Sequence, residues 1–173
     1  LQVHPDTRKT SGLILVPTRE LAEQVHKTIL SFTTFCAQDI RAINLTHKVS
    51  ETVQRSLLAD SPDIVIATPA RASSNISSAV LDLQNLSHLV IDEADLLLSY
   101  GYEDDLKVVS TSIPKGVQTF LMSATLTSEV RILKGQFCKN PVILKLEEGE
   151  NPNEGVSQYV VRYDEPSNLL LES

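Results

Sequence analysis

Two periodicities alternate along this chain. Gly12–Val16 (GLILV) is a short continuous apolar run that stops at Pro17, the pattern of a strand buried on both faces. Thr18 then suits a helix N-cap, and apolar residues recur at Leu21, Val25, Ile29, Phe32 and Phe35 or Cys36, one face of a helix. Arg41–Leu45 reads as a second strand, and Ser50 as the cap of a short helix through Leu58. Asp63–Ala67 (DIVIA) reads as a third strand, with Pro69 placed to open a helix where its missing N–H costs nothing. Leu89–Ile91 predicts a fourth strand, and Tyr102–Ser112 a helix closed by Pro114 and Gly116. Gln118–Met122 predicts a fifth strand. Thr127 caps a helix through Phe137, with Glu129 in its first turn and Lys134 near its last, and Val142–Leu146 predicts a sixth strand. Glu147–Gly155 has loop composition, and Ser157–Tyr163 reads as one more extended segment.

Strands alternating with helices predict an α/β fold, a mostly parallel sheet with helices on both faces. Ligands in such folds bind beyond the carboxyl ends of the strands. Four predicted strand ends carry polar clusters: Pro17-Thr18-Arg19-Glu20, Thr68-Pro69-Ala70-Arg71, Asp92-Glu93-Ala94-Asp95 and Ser123-Ala124-Thr125. A parallel sheet sets all four along one rim.

The types of these residues suggest the chemistry. A strand-end Asp such as Asp92 can hold Mg²⁺ through water while phosphates fill other positions. A neighbouring Glu93 can orient or deprotonate an attacking water. The competing reading is a polar loop with an acidic helix cap. Ser123 and Thr125 can bridge to a carboxylate such as Asp95, or satisfy their own turn. Arg19 and Arg71 sit near helix starts, where backbone N–H groups and guanidinium forks together bind phosphate; each alone reads as a surface charge.

Composition narrows the function classes. At 173 residues, 42% hydrophobic and 21% charged, the chain has the make-up of one globular domain, and its apolar runs are too short for a membrane-spanning helix. The net charge is −7, of which −6 falls in residues 147–173 and −1 in residues 1–146. A nearly neutral body excludes coating nucleic acid by bulk charge and leaves contact through a few well-placed arginines. Cys36 and Cys138 lack metal or redox spacing and read as free thiols. The Asn-x-Ser/Thr triplets at Asn44, Asn75 and Asn85 read as chance.

The four clusters, the first extended as Pro17-Thr18-Arg19-Glu20-Leu21-Ala22, stand in the order of motifs Ia, Ib, II and III of the DEAD-box ATP-dependent RNA helicases, and resemble them. The resemblance implies a RecA-like fold, with residues 1–146 as part of the first helicase domain and 147–173 as an acidic linker, Asn168–Leu171 opening the second domain. It implies ATP and Mg²⁺ as cofactors, and RNA, held by its backbone without regard to sequence, as partner. By the same resemblance Asp92 serves the metal through water and Glu93 the hydrolytic water. Asp95, Ser123 and Thr125 couple nucleotide state to domain closure. Thr18, Arg19, Glu20, Thr68 and Arg71 line the RNA backbone. Asp92–Leu106 (DEADLLLSYGYEDDL) resembles the nucleolar branch that acts in large-ribosomal-subunit assembly, which implies a nuclear, nucleolar location and pre-ribosomal protein partners.

Departures from the family pattern set further expectations. Ala70 stands where the family usually has Gly. Leu45-Thr46-His47-Lys48-Val49-Ser50 stands where it usually has a Gly doublet, with Lys48 as a substitute cation. None of the six glycines is followed by Lys, so the Gly-x-x-x-x-Gly-Lys-Ser/Thr loop that wraps phosphates is not spelled. The expected domain is therefore incomplete, without the phosphate-loop strand and without the second RecA-like domain. The start, Leu1-Gln2-Val3-His4, carries no initiator Met and reads as the middle of a longer protein. One functional reading is part of an enzyme that couples ATP hydrolysis to RNA or ribonucleoprotein remodelling. The alternative is a catalytically inert truncated fragment acting as a binding or assembly module. In either case this chain alone is expected to bind ATP poorly and to be unstable.

Overall fold

The computed structural model describes residues 9–36, 40–47 and 49–144, without the side chains of Cys36 and Glu51. The expectations for Lys48, residues 145–146, Ser157–Tyr163 and the 147–173 segment lie outside the described residues. The chain divides into two compact units at Asn140, and the elements found among the described residues all lie in the first. Five strands, β1 (Gly12–Leu15), β2 (Ala42–Asn44), β3 (Ile64–Ala67), β4 (His88–Ile91) and β5 (Gln118–Leu121), alternate with six helices. These are α1 (Arg19–Cys36), α2 (Glu51–Ala59), α3 (Pro69–Ser77), α4 (Ala94–Ser99), α5 (Glu103–Ser112) and α6 (Ser128–Phe137).

The strands form one sheet in the order β2-β3-β1-β4-β5, and every pair is parallel. Leu13 pairs with Val65 on one side and Leu89 on the other, and all three are wholly buried. From β1 the chain moves two places outward to β2; every later step runs the other way across the sheet. Right-handed crossovers then put α1 on one face and the later helices on the opposite face. The cores agree. Ile64 and Ile66 pack with Ala22, Leu21 and Val25 of α1. Leu13, Val65 and Leu89 pack with Ala72 of α3, Leu106 of α5 and Val130 of α6.

The sequence expectations for β1 to β5 hold to within one residue or two at each end, and the caps are in place. The hydroxyls of Thr18, Ser50 and Thr127 accept from the backbone N–H of Leu21, Val53 and Val130 at 3.2, 3.4 and 3.3 Å. Three expectations need correction. The apolar face of α1 does not stay buried: Phe32 is 66% and Phe35 88% exposed. Eighteen residues of helix run about 27 Å, whereas four residues of strand run about 13 Å, so α1 outreaches the sheet that covers its first turns. Val142–Leu144 carries no strand, because a strand exists only through a ladder and these residues have none. The helix α4 was not anticipated. It follows Glu93 directly and spans only six residues, too short for a periodic signal.

A core substitution should separate the buried centre from the overhanging helix end. Leu13→Ala is expected to cost about 2–5 kcal/mol, the range for deleting buried leucine methyls. Phe32→Ser should stay within about 0.5 kcal/mol of the wild type. Urea denaturation of the two variants measures the difference, and equal losses would contradict the assigned burial.

Candidate functional site at the strand ends

Because all five strands run parallel, their carboxyl ends form one rim. Backbone hydrogen bonds continue the ladder past the strands: Val16 N–H to Ala67 O (3.0 Å), Asp92 N–H to Leu15 O (3.0 Å) and Met122 N–H to Ile91 O (2.9 Å). The rim therefore carries, in spatial order, the turn after β2, Thr68–Arg71, Thr18–Glu20, Asp92–Asp95 and Ser123–Thr125. Every predicted site residue lies on it. The strand order reverses at β1, and a crevice is expected between β1 and β4.

On the acidic half, Asp92 Oδ1 accepts from the Glu93 N–H at 2.9 Å, and Oδ2 has no hydrogen-bond partner among the described residues. Glu93 occupies the left-handed region, φ 48° and ψ 54°, before the first residue of α4. A non-glycine residue there carries strain of order 1–3 kcal/mol, which the surrounding structure must hold in place. Ala94 N–H donates to Met122 O at 2.9 Å and ties the ends of β4 and β5 together.

Asp95 is engaged differently. Its Oδ2 accepts from the Thr125 hydroxyl at 2.8 Å and the Thr125 N–H at 3.1 Å. Its Oδ1 accepts from Leu96 N–H at 3.1 Å, and its own N–H donates to Ser123 Oγ at 3.3 Å. The Ser123 hydroxyl donates to Thr125 O at 2.7 Å. The structure thus joins Asp95, Ser123 and Thr125 into one bridge. The Thr125 hydroxyl, chiefly, holds the Asp95 carboxyl below its ordinary range, against a desolvation that pushes it up. Glu93, Asp95, Leu96, Ser99 and Ala124 line an open cleft of about 460 Å³.

The other half of the rim carries the arginines. Arg19 and Arg71 are exposed in the first turns of α1 and α3. Thr68 caps α3 with no side-chain cap bond and its hydroxyl has no partner among the described residues, whereas that of Thr18 is used by Leu21 N–H. Ala70 is exposed in the same turn as Arg71. Arg19 and Glu20 line a second open cleft, of about 590 Å³, with Glu23 and His47.

Glu23 and His47 were not anticipated as site residues. They meet only in three dimensions, His47 Nε2 lying 2.8 Å from Glu23 Oε2. The turn that carries His47 is shaped by Asn44, whose Oδ1 accepts from Thr46 N–H at 2.9 Å and from the Thr46 hydroxyl at 2.7 Å. The Asn44 side chain thus closes an Asx turn in this glycine-free segment. Asn44 is 5% and Asn75 7% exposed, so those two Asn-x-Ser/Thr triplets serve the interior.

No group of three or more His, Cys, Asp and Glu side chains among the described residues could enclose a metal ion. The free Oδ2 of Asp92 nevertheless fits Mg²⁺, which keeps most of its waters and takes one or two carboxylates. No helix among the described residues is long and apolar enough to cross a membrane.

A family model described as DEAD/DEAH box helicase matches residues 1–133. The chain is 67% identical over 165 residues to a protein of Botryotinia fuckeliana named ATP-dependent RNA helicase dbp9, covering 95% of this chain and 27% of that protein. It is 60% identical over 169 residues to the protein of that name from Emericella nidulans, covering 98% and 28%. The chain thus spans little more than a quarter of the length of these relatives. Among solved structures, a DEAD box protein from Methanococcus jannaschii matches with TM-score 0.71 and 28% identity, over 76% of this chain and 36% of that one. The yeast DEAD-box splicing factor Prp28 matches with TM-score 0.69 and 27% identity, over 75% and 31%.

The Asp95 bridge has a pH signature. A carboxyl lowered by folding contributes stability that is fully present above its ordinary value of 3.8 and is lost as pH falls through the lower folded value. Thr125→Val should therefore destabilise at pH near 6, by about 1 kcal/mol for an exposed charged hydrogen bond, and by much less near pH 2. Denaturation of both proteins across that range measures it; a constant difference would contradict the bridge.

Proposed function

The chain belongs to the DEAD/DEAH box helicase family, and on that premise we propose that it forms part of an ATP-dependent RNA helicase that couples ATP hydrolysis to RNA or ribonucleoprotein remodelling. The observation that carries this reading is the division of labour at the ends of β4 and β5. Asp92 keeps an uncommitted carboxylate oxygen, while Asp95 is wholly occupied by its bridge. The relatives it matches are named ATP-dependent RNA helicases. The activity is that of a protein of their length, of which this chain supplies one stretch.

Bound ATP and Mg²⁺ would supply the transferable phosphoryl group and the neutralising charge. Asp92 is the residue that would hold the Mg²⁺, by way of water at its free Oδ2. Glu93 orients the attacking water and takes its proton. Asp95 does neither; with Ser123 and Thr125 it makes the ends of β4 and β5 move as one, so that a change at Asp92 is felt at Thr125. Arg19, Arg71 and the Thr68 hydroxyl bind RNA phosphates, with Thr18 and Glu20 shaping the start of α1 between them. These contacts read backbone and not bases, and so give binding without sequence preference. The setting we propose is assembly of the large ribosomal subunit in the nucleolus, among pre-ribosomal proteins, on the strength of the Asp92–Leu106 stretch.

Two substitutions in a full-length protein carrying this sequence test the assignment. Glu93→Gln should lower RNA-stimulated ATP turnover by roughly 10²- to 10⁴-fold with ATP and RNA affinity kept, since the amide holds a water but takes no proton. Wild-type turnover would refute the role given to Glu93. Arg71→Ala should leave basal turnover in place, weaken RNA binding, and reduce the slope of log affinity against log salt by about 0.7, one single-strand phosphate. An unchanged slope would remove Arg71 from the track.

A further inference from the structure

The helix α3 carries Arg71 onto the rim, yet little apolar packing holds it there. Its buried residues are Pro69, Ala72, Ser73 and Asn75, and Ile76, its one large apolar side chain, is only partly buried. The Arg71 guanidinium is exposed and has no ion pair among the described residues, so the backbone of α3 aims it. Asn75 is placed to hold that backbone. Its Nδ2 donates to Arg71 O at 2.8 Å and reaches Gln54 Oε1, on α2, at 3.5 Å, the far end of hydrogen-bond range. Arg71 O can only accept, so Asn75 turns its amide nitrogen that way, and Gln54 then meets it with oxygen. The main-chain carbonyl of Asn75 accepts from Val80 N–H at 2.9 Å and Leu81 N–H at 3.0 Å, and Leu81 lies in the core. One residue thus ties the turn that bears Arg71 to a neighbouring helix and to the core.

Stability alone does not explain this pair. Asn75 and Gln54 are both buried, and Gln54 Nε2 has no partner among the described residues. A buried amide with an unmet donor costs free energy, and apolar side chains of like shape in both places would be neutral or stabilising. What an amide adds is direction. Apolar surfaces can slide and turn on one another, whereas a donor aimed at one carbonyl and one amide oxygen specifies how α3 is rotated against α2. Arg71 lies one helical turn from Asn75 toward the rim, so that rotation sets where the guanidinium projects.

We propose that Asn75, backed by Gln54, is a positioning residue for RNA binding: it touches no RNA and holds Arg71 in the orientation that meets a phosphate. The inference rests on the reading of the rim as an RNA track.

The test replaces both amides in the full-length protein carrying this sequence, as Gln54→Met with Asn75→Leu. Affinity for a short single-stranded RNA is measured by fluorescence anisotropy with saturating non-hydrolysable ATP analogue, and ATP turnover is followed as RNA is raised. The double variant should melt no lower than the wild type and bind RNA roughly three- to tenfold more weakly, as misplacing one charged contact would give. It should need correspondingly more RNA to reach an unchanged maximal turnover. In an Arg71→Ala background the same two substitutions should weaken binding by less than about twofold, because the contact they position is gone. Gln54→Met alone leaves the Asn75–Arg71 bond and adds no bulk. It should shift affinity in the same direction and lose its effect in the same background, and it carries the test if the double variant does not fold. Wild-type affinity in Gln54→Met, an equal loss with and without Arg71, or maximal turnover lost along with affinity would overturn the proposal. Arg71→Ala separates the two levels. If it leaves RNA affinity unchanged, the RNA track itself is wrong; if it weakens binding and the amide variants still follow the wild type, only the positioning role is wrong.

Discussion

Parallel registration of β1 between β3 and β4 is the constraint on which the rest depends. Leu13 and Leu15 have strand neighbours on both sides and helices over both faces, and they are wholly buried. A strand so placed can hold only apolar side chains along its length. Polar chemistry can then appear only where the strands stop. Since all five stop at the same edge, residues as far apart in sequence as Thr18 and Thr125 come to share one rim. The direction of chain travel divides that rim. The step leaving β1 goes one way across the sheet and the step leaving β4 the other, and one cleft lies on each side, beside α1 and beside α4.

The two halves of the rim differ in kind. The β4–β5 half is acidic and tightly cross-linked by hydrogen bonds, with Glu93 held in a left-handed conformation that the Asp92 and Met122 contacts on either side maintain. The β3–β1 half presents cations on the first turns of two helices, where backbone N–H groups add to their attraction for anions. An acidic, metal-compatible half thus lies beside a half of mixed charge in which Arg19 and Arg71 stand exposed at two helix starts. The Asp95 bridge stiffens the first half, and the Asn44 turn together with the Glu23–His47 pair stiffens the edge of the second.

Most of this was legible in the sequence, for reasons that can be traced to residues. The strands were readable because burial on both faces leaves unbroken apolar runs such as Ile64–Ala67, and the caps because Thr18, Ser50 and Thr127 stand directly before periodic segments. What escaped depended on reach and on tertiary approach. Phe32 and Phe35 continue the helical period of α1, but period says nothing of where the opposing sheet ends. Val142–Leu144 has strand composition without a ladder. The Asp95 bridge to Ser123 and Thr125 was expected and is present; not expected were the left-handed backbone of Glu93 and the His47–Glu23 pair, which joins residues 24 apart in the chain. An Asn two residues before a Thr, at Asn44, was the one local signal for the last of these, and a glycosylation triplet looks the same.

The claim that one rim serves two ligands through two halves is tested most directly by hydrogen–deuterium exchange on a full-length protein carrying this sequence, with RNA and with a non-hydrolysable ATP analogue added separately. The account predicts that RNA slows exchange around Thr18–Glu23 and Thr68–Ala72, and that the nucleotide analogue slows it around Asp92–Leu96 and Ser123–Thr125. Protection by RNA confined to the second pair of segments, or by nucleotide confined to the first, would contradict it.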